Sequence, residues 1–271
     1  MIKNNLQLVV WVVKWIGLIY VLIGLLLFLL PDYFLFHPVK LAAGYRYHFN
    51  MPFQEIDIPF NTKSTISLVK FFPVQQPARG VVIYFHGNKG NINRYAPFAA
   101  NFTKWGYEVW MPDYPGFGKS TGERNEKILY QQAALICLQA KKIVSPKQLI
   151  IYGKSFGSGI AAQLASQQDC AQLILETPYF SIPDLLDYYA PIYPNAILSN
   201  YKIPTNQFLQ QVKYPITIFH GTADGVIPYR CAAKLKRVLK PNDQFITLQN
   251  GTHHNLNDYV LFHQQLDSLL Q

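Results

Sequence analysis

Polar positions almost vanish between residues 6 and 30, where LQLVVWVVKWIGLIYVLIGLLLFLL carries only Gln7 and Lys14. As an α-helix this run rises about 37 Å, enough to cross a hydrocarbon layer of ~30 Å with tilt. Lys14 is costly at mid-bilayer, so it should snorkel or mark the edge of a shorter span at roughly 15–30. Trp11 and Trp15 on one side, with Tyr33 and Phe34 on the other, sit where interfacial aromatics belong. Downstream the pattern changes. Short apolar, β-branched runs recur at 66–72, 81–85, 109–111, 149–152, 173–175, 216–219 and 245–248, while 54–60 alternates as an edge strand does. From 81 onward, helix-period segments separate most of them, at about 93–104, 123–142, 156–167, 228–240 and 255–270. The pattern predicts an α/β fold: a mostly parallel eight-stranded sheet with an antiparallel start and helices on both faces.

Residues 178–213 break the alternation. They are rich in tyrosine and proline (Pro178, Pro183, Pro191, Pro194, Pro204) and too long for a simple crossover. The segment reads as a small cap over a pocket at the carboxyl edge of the sheet, where ligands bind in open α/β folds. The expected organisation is therefore an N-terminal membrane anchor and flank at 1–35, then one α/β domain at 36–271.

Composition narrows the classes. Half of the chain is hydrophobic and 14% is charged, against about 25% in ordinary soluble domains, which excludes disorder and coiled coils. The net charge of +9 favours anionic surroundings. Phe and Tyr lie in apolar runs and not interleaved with Arg and Lys, so the expectation is a membrane surface and no nucleic acid. Lys3 and Lys14 precede the apolar run and Asp32 follows it, which predicts a single pass with the α/β domain on the non-cytoplasmic side. A cleaved signal peptide is the rival, but only the weak Ala42-Ala43-Gly44 follows as a cleavage site, so a retained signal-anchor is expected. Cys137, Cys170 and Cys231 lie far apart with no C-x-x-C spacing, and neither a disulfide scaffold nor a zinc ribbon is expected.

Chemistry concentrates at Gly153-Lys154-Ser155-Phe156-Gly157, a G-x-S-x-G that follows an apolar strand and opens a helix. So tight a turn leaves no room for neighbouring Cβ atoms and presents the serine hydroxyl at the end of the sheet. A serine nucleophile needs a base, and the base an orienting acid. Asp224 follows the 216–219 strand in His220-Gly221-Thr222-Ala223-Asp224, and His253 follows the 245–248 strand in Asn250-Gly251-Thr252-His253-His254. All three candidates sit on loops at one edge, in the order Ser…Asp…His. The oxyanion donors expected are the backbone N–H groups of Phe156 and Asn88. Two substitutes stay open: His254 for the base and Glu176 for the acid. His86 and His220 are expected to be structural, and Asp113 to brace the 116–118 turn. Gly118-Lys119-Ser120-Thr121 imitates the end of a phosphate loop, but Asp113 holds the place of its first glycine. No H-E-x-x-H exists, so no metal is expected.

The chain resembles serine hydrolases of the α/β-hydrolase superfamily and is similar to their membrane-anchored ABHD13/BEM46-like and ABHD17-like branch. The likeness covers about residues 36–270. It rests on His86-Gly87-Asn88-x-Gly90-Asn91, Asp113-Tyr114-Pro115-Gly116-Phe117-Gly118-Lys119-Ser120, the serine turn, His220-Gly221-Thr222-x-Asp224 and the late His253. The resemblance implies a Ser155–His253–Asp224 triad, no cofactor, and ester or thioester substrates, lipids or lipidated proteins among them. The function expected is a membrane-anchored serine hydrolase working through an acyl-enzyme. The alternatives are a catalytically silent interaction module and a serine peptidase of the same fold.

Overall fold

Strands that are apolar on both faces belong inside a sheet, and here they lie side by side. In the computed structural model, which describes residues 2–271, eight strands form one sheet. They are β1 (Phe53–Asn61), β2 (Ser64–Phe71), β3 (Gly80–Phe85), β4 (Tyr107–Pro112), β5 (Leu149–Lys154), β6 (Gln172–Glu176), β7 (Ile216–Gly221) and β8 (Gln244–Leu248). Their spatial order is β8-β7-β6-β5-β3-β4-β2-β1. The pairs β1–β2 and β2–β4 are antiparallel and every other pair is parallel. β3, β5 and β7 are buried along their whole length. β1 lacks an outer partner, so it alternates in exposure and tolerates Pro59.

The two-residue period of a strand divides the core. Val81, Ile83 and Phe85 of β3, Leu149 and Ile151 of β5, and Leu173 and Leu175 of β6 share one face. Helices α2 (Glu126–Ala140) and α3 (Phe156–Gln167) cover it through Ala133, Ile136, Ile160 and Leu164. Val82, Tyr84, Ile150, Tyr152 and Ile174 point the other way, where helix α4 (Val260–Leu270) supplies Phe262 and Leu266. α2 begins where the Asn125 side chain accepts the Ile128 N–H, a cap that satisfies one orphan donor.

Two of the expected helices are broken. The 93–104 segment is three short pieces, Ile92–Tyr95, Ala96–Ala99 and Ala100–Thr103, because Pro97 lacks the N–H that a continuous helix uses. The 228–240 segment is helical only over Tyr229–Ala233, tightens over Lys234–Arg237, and ends before Pro241.

Helix α1 (Ile2–Leu29) is about 42 Å long. Apart from Lys14 and the Gly24 side that meets Tyr193, its surface from Val9 to Leu29 is apolar and largely exposed, a face that water does not favour and lipid does. Where the insertion meets it, the Tyr20 and Tyr193 rings stack at 4.7 Å and the Tyr20 hydroxyl donates to the Ile192 carbonyl at 2.9 Å. A short turn, Pro31–Leu35, follows. Then His37–Pro38 pairs in parallel with Lys89–Gly90, and Phe36 enters the core.

Candidate active site

The chain reverses its direction of travel across the sheet between β3 and β5, so the loops leaving their carboxyl ends lie next to each other. Ser155 stands at the end of β5 with φ +53° and ψ −121°, a backbone state that side-chain-bearing residues avoid. Its surroundings hold it there. The Ser155 N–H donates to the Glu176 carbonyl of β6 at 2.8 Å, and its own carbonyl accepts from the Ser158 hydroxyl at 2.6 Å. The two flanking glycines are required by contact. A Cβ on Gly157 would lie 2.1 Å from the Phe85 carbonyl oxygen, and one on Gly153 2.5 Å from that of Gly157.

The loops after β7 and β8 are tied to each other. Ala223 N–H donates to the Gly251 carbonyl at 2.9 Å, and Asn250 N–H to the Thr222 hydroxyl at 2.8 Å. This brings Asp224 and His253 together. His253 Nδ1 lies 2.8 Å from Asp224 Oδ2, and His253 Nε2 lies 2.9 Å from Ser155 Oγ. A carboxylate only accepts, so Nδ1 carries the proton and Nε2 is left to accept from the serine hydroxyl. The other carboxylate oxygen, Asp224 Oδ1, accepts from the N–H groups of Val226 and Ile227, both at 2.8 Å. All three side chains are buried. Burial pushes the Asp224 carboxyl up. The His253 hydrogen bond and charge, the Ile227 N–H and His220 outweigh it and hold the group below its ordinary value.

The substitutes are placed elsewhere. His254 is exposed, and its ring makes no bond to Ser155 or Asp224. Glu176 faces Lys154 and the Tyr152 hydroxyl, forming a buried ion pair under the serine turn. His86 bonds the Gly87 carbonyl at 2.7 Å and Asp113 at 3.1 Å. His220 gives its Nε2 proton to the Ile227 carbonyl at 2.9 Å, and burial holds its pKa down despite Asp224. Asp113 backs onto Gly118, where a Cβ would meet its carboxylate. Asn88 is fastened from outside: its side chain donates to the Leu35 carbonyl at 2.6 Å, and its carbonyl accepts the His37 N–H at 2.9 Å. Among the described residues, no protein acceptor takes the N–H of Asn88 or of Phe156.

Beside Ser155 opens a cavity of about 150 Å³ lined by Asn88, Lys154, His253 and His254, with Lys89, Arg94, Tyr95, Phe98 and Val226. None of residues 178–213 lines it, so the insertion is not a roof over this cavity. Thr205–Gln211 packs on α3, the Tyr193 region leans on α1, and Tyr179 is core, donating to the Phe156 carbonyl at 3.1 Å. The reason is composition: the tyrosines and prolines of the insertion meet the apolar flank of α1. Sequence reasoning also missed Tyr95. The signal was available, since the turn that follows the Asn88 loop ends beside Ser155.

Comparison with known proteins agrees with this architecture. The family described as serine aminopeptidase, S33, matches residues 76–205. Bem46 of Schizosaccharomyces pombe is 30% identical over 190 residues, 66% of this chain and 63% of that protein. Alpha/beta hydrolase domain-containing protein 17C of Xenopus tropicalis is 28% identical over 202 residues, 72% and 61% respectively. The match thus spans less than two thirds of either relative. Among solved structures, the Pyrococcus furiosus esterase Pf2001 superposes with a TM-score of 0.65 at 14% identity, covering 87% of this chain and 96% of that one. Est1E of Butyrivibrio proteoclasticus gives 0.65 at 16% identity, covering 79% and 97%. This strand order and serine turn make the fold an α/β-hydrolase fold, and the chain is similar to Bem46 and to the alpha/beta hydrolase domain-containing 17 proteins.

Proposed function

We propose that this protein is a membrane-anchored serine hydrolase that cleaves acyl esters or thioesters, with Ser155 as nucleophile, His253 as base and acid, and Asp224 as the orienting carboxylate. The observation that carries the proposal is the unbroken relay from Asp224 Oδ2 through His253 to Ser155 Oγ, at 2.8 and 2.9 Å. In the first half-reaction Ser155 Oγ bonds to the acyl carbon while His253 Nε2 takes its proton. The carbonyl oxygen becomes an oxyanion facing the uncommitted N–H groups of Asn88 and Phe156, donors fixed before the charge develops. Collapse breaks the bond to the leaving alkoxide or thiolate, which receives the proton back from His253. Water then repeats the sequence on the acyl-enzyme and frees Ser155 as the carboxylic acid departs. Asp224 stays ionised throughout, which suits its depressed pKa.

We assign residues 1–35 as anchor and flank and 36–271 as the hydrolase unit, with the insertion at 178–213. Helix α1 crosses the bilayer once, with the hydrolase unit on the non-cytoplasmic side. The exposed apolar surface of α1 from Trp15 to Leu29 and the Lys3, Lys14 and Asp32 arrangement support this. The partners are then the bilayer and an acyl substrate presented at it, a lipid or a lipidated protein. A second reading, amide cleavage, is favoured by the description of the matching family, while Pf2001 is named an esterase and Est1E is described with ferulic acid bound.

The test is labelling of the full chain in detergent with a fluorophosphonate probe, which should be lost in Ser155→Ala. Folded protein that takes no label is a silent module. Matched ester, thioester and amide substrates then decide the bond, and faster amide turnover would favour the peptidase.

A further inference from the structure

The cavity at Ser155 has an unbalanced charge. Lys89, Arg94 and Lys154 line it together with two histidines, and no aspartate or glutamate does. Lys154 is neutralised by Glu176 behind it. Lys89 and Arg94 are not: among the described residues neither has a carboxylate within 4.0 Å. Lys89 directly follows Asn88 and Arg94 stands on the Ile92–Tyr95 helical turn after it, and both line the cavity together with Ser155. The Arg94 stem lies on Gly90, where a Cβ would be 3.1 Å from Arg94 Cδ. A Cβ on Gly87 would be 2.7 Å from the Tyr95 hydroxyl and 3.6 Å from Ser155 Cβ, so this hydroxyl borders the serine. Burial pushes the Tyr95 phenol up, and the adjacent Arg94 guanidinium and Lys89 N–H pull against it. His254 reports the same field: burial first, then the charges of His253, Arg94 and Lys154, drive its pKa down.

The volume limits what enters. About 150 Å³ lies below the ~300–1,000 Å³ of ordinary ligand pockets, so what sits inside it is a small polar group, and a longer chain would leave through its mouth. Resting on the serine-hydrolase reading above, we propose that the cavity selects esters or thioesters bearing an anionic group, carboxylate or phosphate, next to the scissile carbonyl, with Lys89 and Arg94 as the specificity-determining cations. Lys89 and Arg94 are exposed, so two such cations about 4 Å from the anion and screened as in bulk water should favour the anionic member of a matched pair by about thirtyfold in kcat/KM.

The experiment uses the full chain in detergent and two pairs of substrates. On the acyl side, the 4-nitrophenyl monoester of glutarate is compared with its neutral methyl ester. On the alcohol side, butyryl glycerol phosphate is compared with butyryl glycerol. The expected result is a preference of about thirtyfold for the anion in at least one pair. It should collapse towards one in Lys89→Gln/Arg94→Gln and reverse in Lys89→Glu/Arg94→Glu. Fluorophosphonate labelling of each variant shows that it is folded, and which pair responds tells an acyl-side carboxylate from an alcohol-side phosphate. Equal turnover within both pairs by labelled protein, or a preference that survives both double variants, overturns the anion site and leaves the serine hydrolase standing. No labelling and no turnover of any ester overturns the parent reading instead.

Discussion

Asp224→Asn is the most discriminating single change, because it keeps the shape and turns one acceptor oxygen into a donor. In the native site Asp224 Oδ1 accepts two N–H groups, from Val226 and Ile227, and Oδ2 accepts His253 Nδ1, all at 2.8 Å. An asparagine has one acceptor for these two jobs. Turning its carbonyl towards His253 sets the NH2 against two N–H donors and leaves both unsatisfied, at about 1–3 kcal/mol each. Leaving the carbonyl on Val226 and Ile227 is cheaper, and the NH2 then faces His253 Nδ1. The imidazole answers by moving its proton to Nε2, where it can no longer accept from Ser155. A triad in the wrong tautomer loses about 10⁴ in kcat, or roughly 5.4 kcal/mol of transition-state stabilisation. The assay is kcat on a neutral 4-nitrophenyl ester near pH 7, with circular dichroism to show native fold. A folded Asp224→Asn protein within tenfold of wild type would refute the reasoning.

Other outcomes follow from neighbouring features. Asp224 is held below its ordinary pKa of 3.8, so its contribution is complete above that value and is lost as pH falls through the folded pKa. Urea midpoints should therefore drop more steeply for wild type than for Asp224→Asn between about pH 5 and pH 3, and parallel curves would contradict this. Lys154 and Glu176 are 5% and 1% exposed, so Glu176→Gln should cost about 3–5 kcal/mol by leaving a buried charge alone. Lys154→Met/Glu176→Leu should lose less than the sum of its singles, and strict additivity in urea unfolding would dismiss the coupling. Gly157→Ala drives a Cβ to 2.1 Å from the Phe85 carbonyl and 2.6 Å from that of His86; since backbone cannot yield, no soluble, probe-reactive protein is expected, and a reactive variant with wild-type melting would be the contrary result. A fragment beginning at 36 loses the Leu35 carbonyl that holds Asn88 and the Asp32–Arg124 pair, whereas one beginning at 31 keeps both. The shorter should turn over esters about tenfold more slowly, near 1.4 kcal/mol of oxyanion alignment; equal kcat values would argue against it.

The sheet was legible because a parallel strand buried on both faces must be a continuous apolar run, and 81–85, 149–152, 173–175 and 216–219 are such runs. That the candidate residues Ser155, Asp224 and His253 lie together was legible for a related reason: each stands just beyond the carboxyl end of a strand, and those ends share one edge. Broken helices were less so, since one proline at 97 or 241 outweighs a helical period around it. The direction of the insertion was hidden, because nothing local marks Tyr193 as a partner for Tyr20, 173 positions earlier. The Lys154–Glu176 pair depends on the register of β5 against β6, which sets those two residues opposite each other. Only the paired sheet reveals that.

The parallel pairing of His37–Pro38 with Lys89–Gly90 has a consequence for how this molecule would meet its targets. Eight steps of chain, five residues of them coiled into the Pro31–Leu35 turn, join the last residue of α1 to the oxyanion loop. Even drawn out fully they reach no more than about 28 Å. With α1 in a bilayer, as proposed, Ser155 would be moored within a thin shell above the lipid, with no slack to patrol the solution beyond. Encounters then become two-dimensional: an acyl group carried on the same membrane is met repeatedly at high effective concentration, while the same group on a freely diffusing molecule is met seldom.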